Sequence, residues 1–291
     1  MGKLKKQEAM QFLVSSHPQT SLRIKAADIP VVLRCEDTEF VETLRWHYRL
    51  FGERENLEGA LVQIDISIVN RLSGDTLSEG LSFAKKTISF LSRQATGSYS
   101  ISERKARLQL LNKNPVESLG NFLRNLYTIL LLSGQGLVLH AAGILKEGRV
   151  YIFFGASGSG KTTIANLSST CGVLSDDQVF LKVTGEGRFA AFALPYFGDL
   201  QRDLPGSGPF TVGGLFYLVK DKAVYLRKLP IYEAMAKLIT TPNLPAGLID
   251  FSGLLRKNQD LLRQMPGYAL HFMPADSFWR CIDEYCRGLP K

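Results

Sequence analysis

Between residues 20 and 112 the chain carries short alternating or β-rich runs, at 22–25, 31–35, 60–69, 86–91, 98–102 and 106–111. Successive side chains on a strand face opposite ways, so each run predicts a strand. One stretch, residues 40–51, spaces its apolar residues for a helix instead. Strands with a single helix predict an N-terminal α+β module over residues 1–112. The pattern then changes at Asn112, Lys113, Asn114 and Pro115. Asn114 is placed to cap a helix, Pro115 suits the first turn, and Glu117 stands three residues after the cap. That helix is predicted to run to about Leu132 and end near Gly134.

In residues 113–291 two β-like runs, 137–145 and 149–154, are separated by the turn Lys146, Glu147, Gly148 and predict a hairpin. Helical spacing follows at 161–171, then strands at 178–183, 188–194, 214–219 and 223–226, with turns at 185–187 and 220–222. The last third reads as helices at 231–239, 251–264 and 277–287, whose aromatics Phe278, Trp279 and Tyr285 are spaced as packing residues. Together these predict a mixed α/β chain.

Composition narrows the class. The 291 residues exceed the length at which single cores usually stop growing, and 45% apolar with 21% charged residues is ordinary for a folded protein. The net charge of +8 is scattered, and the one dense basic cluster is Lys3, Lys5 and Lys6. That favours a generally basic surface over nucleic-acid binding. The four cysteines, Cys35, Cys171, Cys281 and Cys286, show neither zinc spacing nor a disulfide framework. Cys281 and Cys286, five apart in a predicted helix, point in different directions. The apolar stretch at residues 12–14 is too short for a signal peptide, and residues 127–145 are too interrupted to span a bilayer. The expectation is a cytoplasmic protein with no membrane partner.

The chemistry begins where the hairpin ends. Gly155, Ala156, Ser157, Gly158, Ser159, Gly160, Lys161 and Thr162 spell a phosphate-binding loop between a strand and a helix. Its glycines let backbone N–H groups converge on phosphate oxygens, Lys161 adds a point charge, and Thr162 offers a hydroxyl to Mg²⁺. Thr163 follows within nucleotide reach. Asp176 and Asp177 lie fifteen and sixteen residues after Lys161, where a short helix returns the chain beside the loop. One can hold metal while the other addresses substrate. His140 lies on the strand that pairs with the one entering the loop. His17, His47 and His271 have no such context. The string from Leu132 to Gly136 mimics a transporter ATPase signature but precedes the loop, and Asn112, Lys113, Asn114 lacks the aspartate of a guanine-reading motif.

His140, the loop ending at Thr162, and the L-S-D-D segment ending at Asp177 together resemble the HPr kinase/phosphorylase family over about residues 136–184. The I-Y-E-A-M-A-K-L helix and the closing helix resemble the shorter HPr kinase-like proteins. The resemblance implies a P-loop domain related in fold to phosphoenolpyruvate carboxykinase, preceded by the smaller α+β module. It implies ATP and Mg²⁺ as cofactors and transfer of the γ-phosphoryl group to a Ser hydroxyl of a peptide or protein. Asp177 then takes the hydroxyl proton, His140 and Lys161 act at the site, and Thr162 and Asp176 serve the metal. Two departures stand out. No Glu occupies residues 192–198, where the family has a metal-binding glutamate in an E-x-R-G motif, and Arg202 is the candidate for its downstream arginine. A nucleotide-responsive regulatory module with little catalysis, or a kinase of a small hydroxylated metabolite, are the alternatives, and an oligomer is compatible with each. The acceptor-choosing loop is expected within residues 198–209.

Overall fold

The computed structural model of the chain describes residues 20–52, 62–73, 79–134, 136–196, 200–238, 248 and 250–287. The basic cluster Lys3, Lys5 and Lys6, the stretch 12–14, His17, Ala60, Gln135, Gly198 and Ile239 lie outside the described residues.

The alternating N-terminal runs pair into a seven-stranded sheet. Its strands are β1 (Thr20–Ala26), β2 (Ile29–Cys35), β3 (Val62–Val69), β4 (Gly80–Ala84), β5 (Thr87–Leu91), β6 (Ala95–Ser100) and β7 (Lys105–Leu111), ordered β1-β2-β3-β7-β6-β5-β4. The β2–β3 and β3–β7 pairs are parallel and the others antiparallel. Helix α1 (Thr38–His47) starts where the Asp37 side chain accepts from the Phe40 N–H at 2.9 Å, and it buries Phe40, Val41 and Leu44. It is shorter than the spacing predicts, because residues 48–51 turn back and Lys25 N donates to Phe51 O at 2.8 Å. β4 has no counterpart among the predicted runs. It is the edge strand, and its inward positions are only half buried, so its alternation is weak in sequence.

Helix α2 (Pro115–Ser133) lies between this sheet and a second one, touching β6 and β7 on one side and the second sheet's strand at Gly136–Lys146 on the other. Burial on two sides explains why Leu119, Phe122, Leu123, Leu126, Tyr127, Ile129 and Leu131 leave no continuous polar face. Asn114 precedes α2 as expected but with a left-handed backbone, φ 59°, and its side chain makes no capping bond. Asn tolerates that conformation, and the first turn closes through Ser118 N to Asn114 O at 3.2 Å instead. The Tyr127 hydroxyl donates to Ile29 O, tying α2 to β2, and Lys182 reaches the β1–β2 turn at Ala27 O and Asp28. One buried apolar cluster runs through both sheets.

The second sheet contains β8 (Gly136–Lys146), β9 (Arg149–Phe154), β10 (Gly172–Ser175), β11 (Gln178–Val183), β12 (Phe189–Phe192), β13 (Phe210–Lys220), β14 (Tyr225–Lys228) and β15 (Gly267–Phe272). Its path is β10-β8-β11-β12-β13-β15-β14, and β9 joins β8 to β13. Strands β8, β9, β13, β12 and β11 therefore close a circuit. Strands β9, β13 and β15 run parallel, so their carboxyl ends share one rim. Ligands of α/β sheets sit outside such ends. β10 and β15 were both hidden in sequence. The helix α3 (Lys161–Leu167) stops four residues before the predicted Cys171, leaving room for β10. β15 is a short, almost fully buried apolar run between β13 and β14, which periodicity alone cannot separate from helix.

Helices α4 (Ile231–Leu238), α5 (Phe251–Gln264) and α6 (Phe278–Arg287) follow the predicted spacing. Phe278 and Trp279 pack with Phe153 and Phe216 beneath α3, which makes the tail aromatics core residues, as their spacing suggests. Cys35 and Cys171 are buried thiols, Cys281 is a half-buried free thiol, and the Cys286 side chain lies outside the described part. Among the described residues no helix is long and apolar enough to cross a membrane.

Candidate functional site

Strand β9 is buried from Val150 to Phe154 and delivers the chain to the parallel rim at Gly155. The next residues turn sharply. Gly158 has φ 74° and Gly160 has φ 111°, left-handed conformations that disfavour a side chain. Close packing adds to this at two glycines. A Cβ on Gly155 would lie 2.7 Å from the Ser159 Oγ, and one on Gly160 would lie 2.8 Å from the Phe272 ring at the end of β15. The loop closes with Ser159 N donating to Ala156 O at 3.0 Å, and α3 begins as Ile164 N reaches Gly160 O. Ala156, Ser157, Gly158 and Thr162 are exposed, while Thr163 is half-buried. The Ser159 hydroxyl is buried without a hydrogen-bond partner.

Lys161 is a buried charged member of the loop, 7% exposed, with its Nζ donating to Gly155 O at 3.0 Å and Ala156 O at 3.2 Å. Burial pushes its pKa below the usual lysine value, and the charge of Asp177 opposes that shift. A cation held at such a cost gains from an anionic ligand.

Asp177 sits in the bend between β10 and β11, braced by the Ser175 hydroxyl, which accepts from the N–H groups of Asp177 and Gln178 at 3.1 Å each. Its backbone carbonyl accepts from Ala141 N, next to His140 on β8. The side chain has a partner on each oxygen. His140 Nδ1 lies 3.0 Å from Oδ1, and Arg124 Nη1 lies 3.2 Å from Oδ2. Each carboxylate oxygen has two lone pairs, so one on each remains for another donor. His140 and Asp177 thus meet as the sequence suggests, beside Lys161. Asp176 is half-buried in the same bend. Among the described residues no group of three or more His, Cys, Asp or Glu could hold a metal ion. Thr162 and Asp176 are nonetheless oxygen donors of the kind Mg²⁺ accepts alongside phosphates and water.

Arg124 is the residue that sequence reasoning missed. It projects from α2, fifty-three residues before Asp177, and its guanidinium also lies over the Tyr196 ring at 4.8 Å. Its one sequence signal was being the only basic residue of an apolar helix. Arg202, the sequence candidate for a catalytic arginine, is engaged elsewhere. Its Nη2 donates to Ala165 O at 2.9 Å and Ser168 O at 3.3 Å, at the end of α3 away from the loop. Its backbone bridges Val173 of β10. Ser168 itself bonds back to Ile164 O and accepts from Trp279 Nε1, so these contacts end the helix. Arg202 caps the end of α3 instead of facing residues 155–160.

No protein-family model matches the chain, and no curated protein matches it.

Proposed function

We propose that the chain is an ATP- and Mg²⁺-dependent kinase that moves the γ-phosphoryl group to a Ser hydroxyl of a peptide or protein, on a P-loop fold of the HPr kinase and phosphoenolpyruvate carboxykinase type. The observation that carries the reading is Asp177, bracketed by His140 and Arg124 beside the buried ammonium of Lys161. A phosphate loop alone supports only nucleotide binding. A carboxylate with spare lone pairs beside it supports acceptor activation.

In this mechanism residues 155–162 and Thr163 wrap the phosphates, and Lys161 exchanges its carbonyl contacts for phosphate oxygens. Mg²⁺, held by Thr162 and Asp176 with the phosphates, would neutralise their charge. The acceptor oxygen attacks the γ-phosphorus as the bond to the β–γ bridging oxygen breaks, and ADP leaves with that electron pair. The acceptor proton passes to Asp177. His140 and Arg124 fix the carboxylate's orientation, and Arg124 is held in turn on Tyr196.

The test compares wild type with Asp177→Asn, using labelled ATP and a lysate of the source organism. Nucleotide affinity is expected to hold while transfer falls by about 10² to 10⁴. Equal transfer by both proteins would sink the role of Asp177. Tight nucleotide binding with no transfer to any hydroxyl would leave the regulatory reading.

A further inference from the structure

The face of α2 that carries Arg124 continues toward the start of the helix. Glu117, Gly120 and Arg124 are spaced three and four apart, so they lie along one side. Tyr196 covers this face, with its ring against Arg124 and 3.6 Å from where a Cβ of Gly120 would be. Beside Tyr196 a cleft of about 500 Å³ opens, lined by Pro115, Val116, Glu117, Gly120 and Tyr196 and by His47 of α1. Clefts at Lys228 to Gly267 and at Val183 to Gln264 share no residue with the phosphate site. This one shares Tyr196 with the arginine that holds Asp177.

We propose that the cleft receives a Lys or Arg side chain of the acceptor peptide, about three residues from the phosphorylated Ser. The proposal rests on the kinase reading above. Glu117 and Arg124, seven residue steps apart on the helix, are separated by about 10 Å, which an extended peptide covers in about three residues. The walls at Pro115, Val116 and Tyr196 are apolar, suited to the methylene stem of a long basic side chain, and Glu117 is the only formally charged residue of the lining among the described residues. His47 does not oppose a cation, because burial and Arg49 push its pKa below the usual histidine value and keep it neutral. Access through this cleft gives the N-terminal module a part in acceptor choice, since α1 forms one wall.

The test uses the full chain with labelled ATP, Mg²⁺ and a positional-scanning library of Ser-centred peptides. An exposed ion pair supports about a two- to fivefold preference for Lys or Arg three residues to one side of the Ser. Glu117→Gln should flatten that preference and Glu117→Lys should turn it toward acidic residues. Because the readout is a ratio between peptides, a general loss of activity does not move it. A flat profile in wild type, or a preference unaltered by Glu117→Lys, overturns the cleft assignment and leaves the kinase reading standing. Asp177-dependent turnover of ATP with no phosphorylated peptide overturns the acceptor site as well. Failure to bind nucleotide, or turnover indifferent to Asp177→Asn, overturns the kinase reading and the cleft together.

Discussion

Replacing Gly160 by alanine tests whether the loop is shaped by its glycines or merely tolerates them. Two costs arise from the geometry. Gly160 has φ 111°, and placing an L-residue there costs about 1–2 kcal/mol. The added Cβ would also lie 2.8 Å from the Phe272 ring, which is 2% exposed and confined at the end of β15. Forcing that ring aside costs about 1–3 kcal/mol, as overpacking usually does. Together the substitution should destabilise the protein by about 2–5 kcal/mol, a fall in Tm of roughly 4–10 °C at about 2 °C per kcal/mol in a chain this long. The two parts separate in a double-mutant cycle read by thermal unfolding. In a Phe272→Leu background the steric part should largely vanish, leaving only the backbone part of about 1–2 kcal/mol. A Gly160→Ala protein as stable as wild type would refute the backbone argument. An equal cost in both backgrounds would refute the contact with Phe272.

The pH dependence of nucleotide affinity follows from Lys161. Its pKa is depressed in the free protein below the ordinary 10.5, and bound phosphates would raise it again, so binding takes up a proton. Affinity is then fully present at low pH and is lost as pH rises through the free-protein pKa. Fluorescent-nucleotide titrations from neutral pH to about pH 10 should show that loss in wild type and a flatter profile in Lys161→Ala. Arg202→Met should lower stability by about 1–3 kcal/mol through the orphaned carbonyls of α3. Measured well below its Tm, this variant should keep nucleotide affinity and phosphoryl transfer within about threefold, under 1 kcal/mol; a much larger loss of transfer would return Arg202 to the catalytic set.

The legible part of the site was the part made of neighbours in sequence. Residues 155–162 declare themselves because glycine spacing, lysine and hydroxyl act through the local backbone. His140 and Asp177 were within reach of the same reasoning, since a hairpin and a short helix bracket the loop and bring both back to it. Arg124 and Tyr196 were not. One arrives on α2 and the other beyond β12, and nothing local in either segment says that they will stack beside a carboxylate. The chain ends of secondary structure show the same division. The stop of α3 at Leu167 depends on Trp279 and Arg202, far along the chain, meeting Ser168 and its neighbours.

By itself the sequence determined most of the strands and helices, the glycine-rich loop at residues 155–162 and the two residues, His140 and Asp177, that return beside it, because propensity, spacing and backbone freedom are local properties. Only the tertiary structure decided the closed circuit of strands, the placement of α2 between two sheets, and the contact of Arg124 with Asp177 while Arg202 ends α3. Each of these is a packing outcome. It depends on which buried faces meet, a matter fixed by the whole chain's competition to remove apolar surface from water while pairing every polar group it buries.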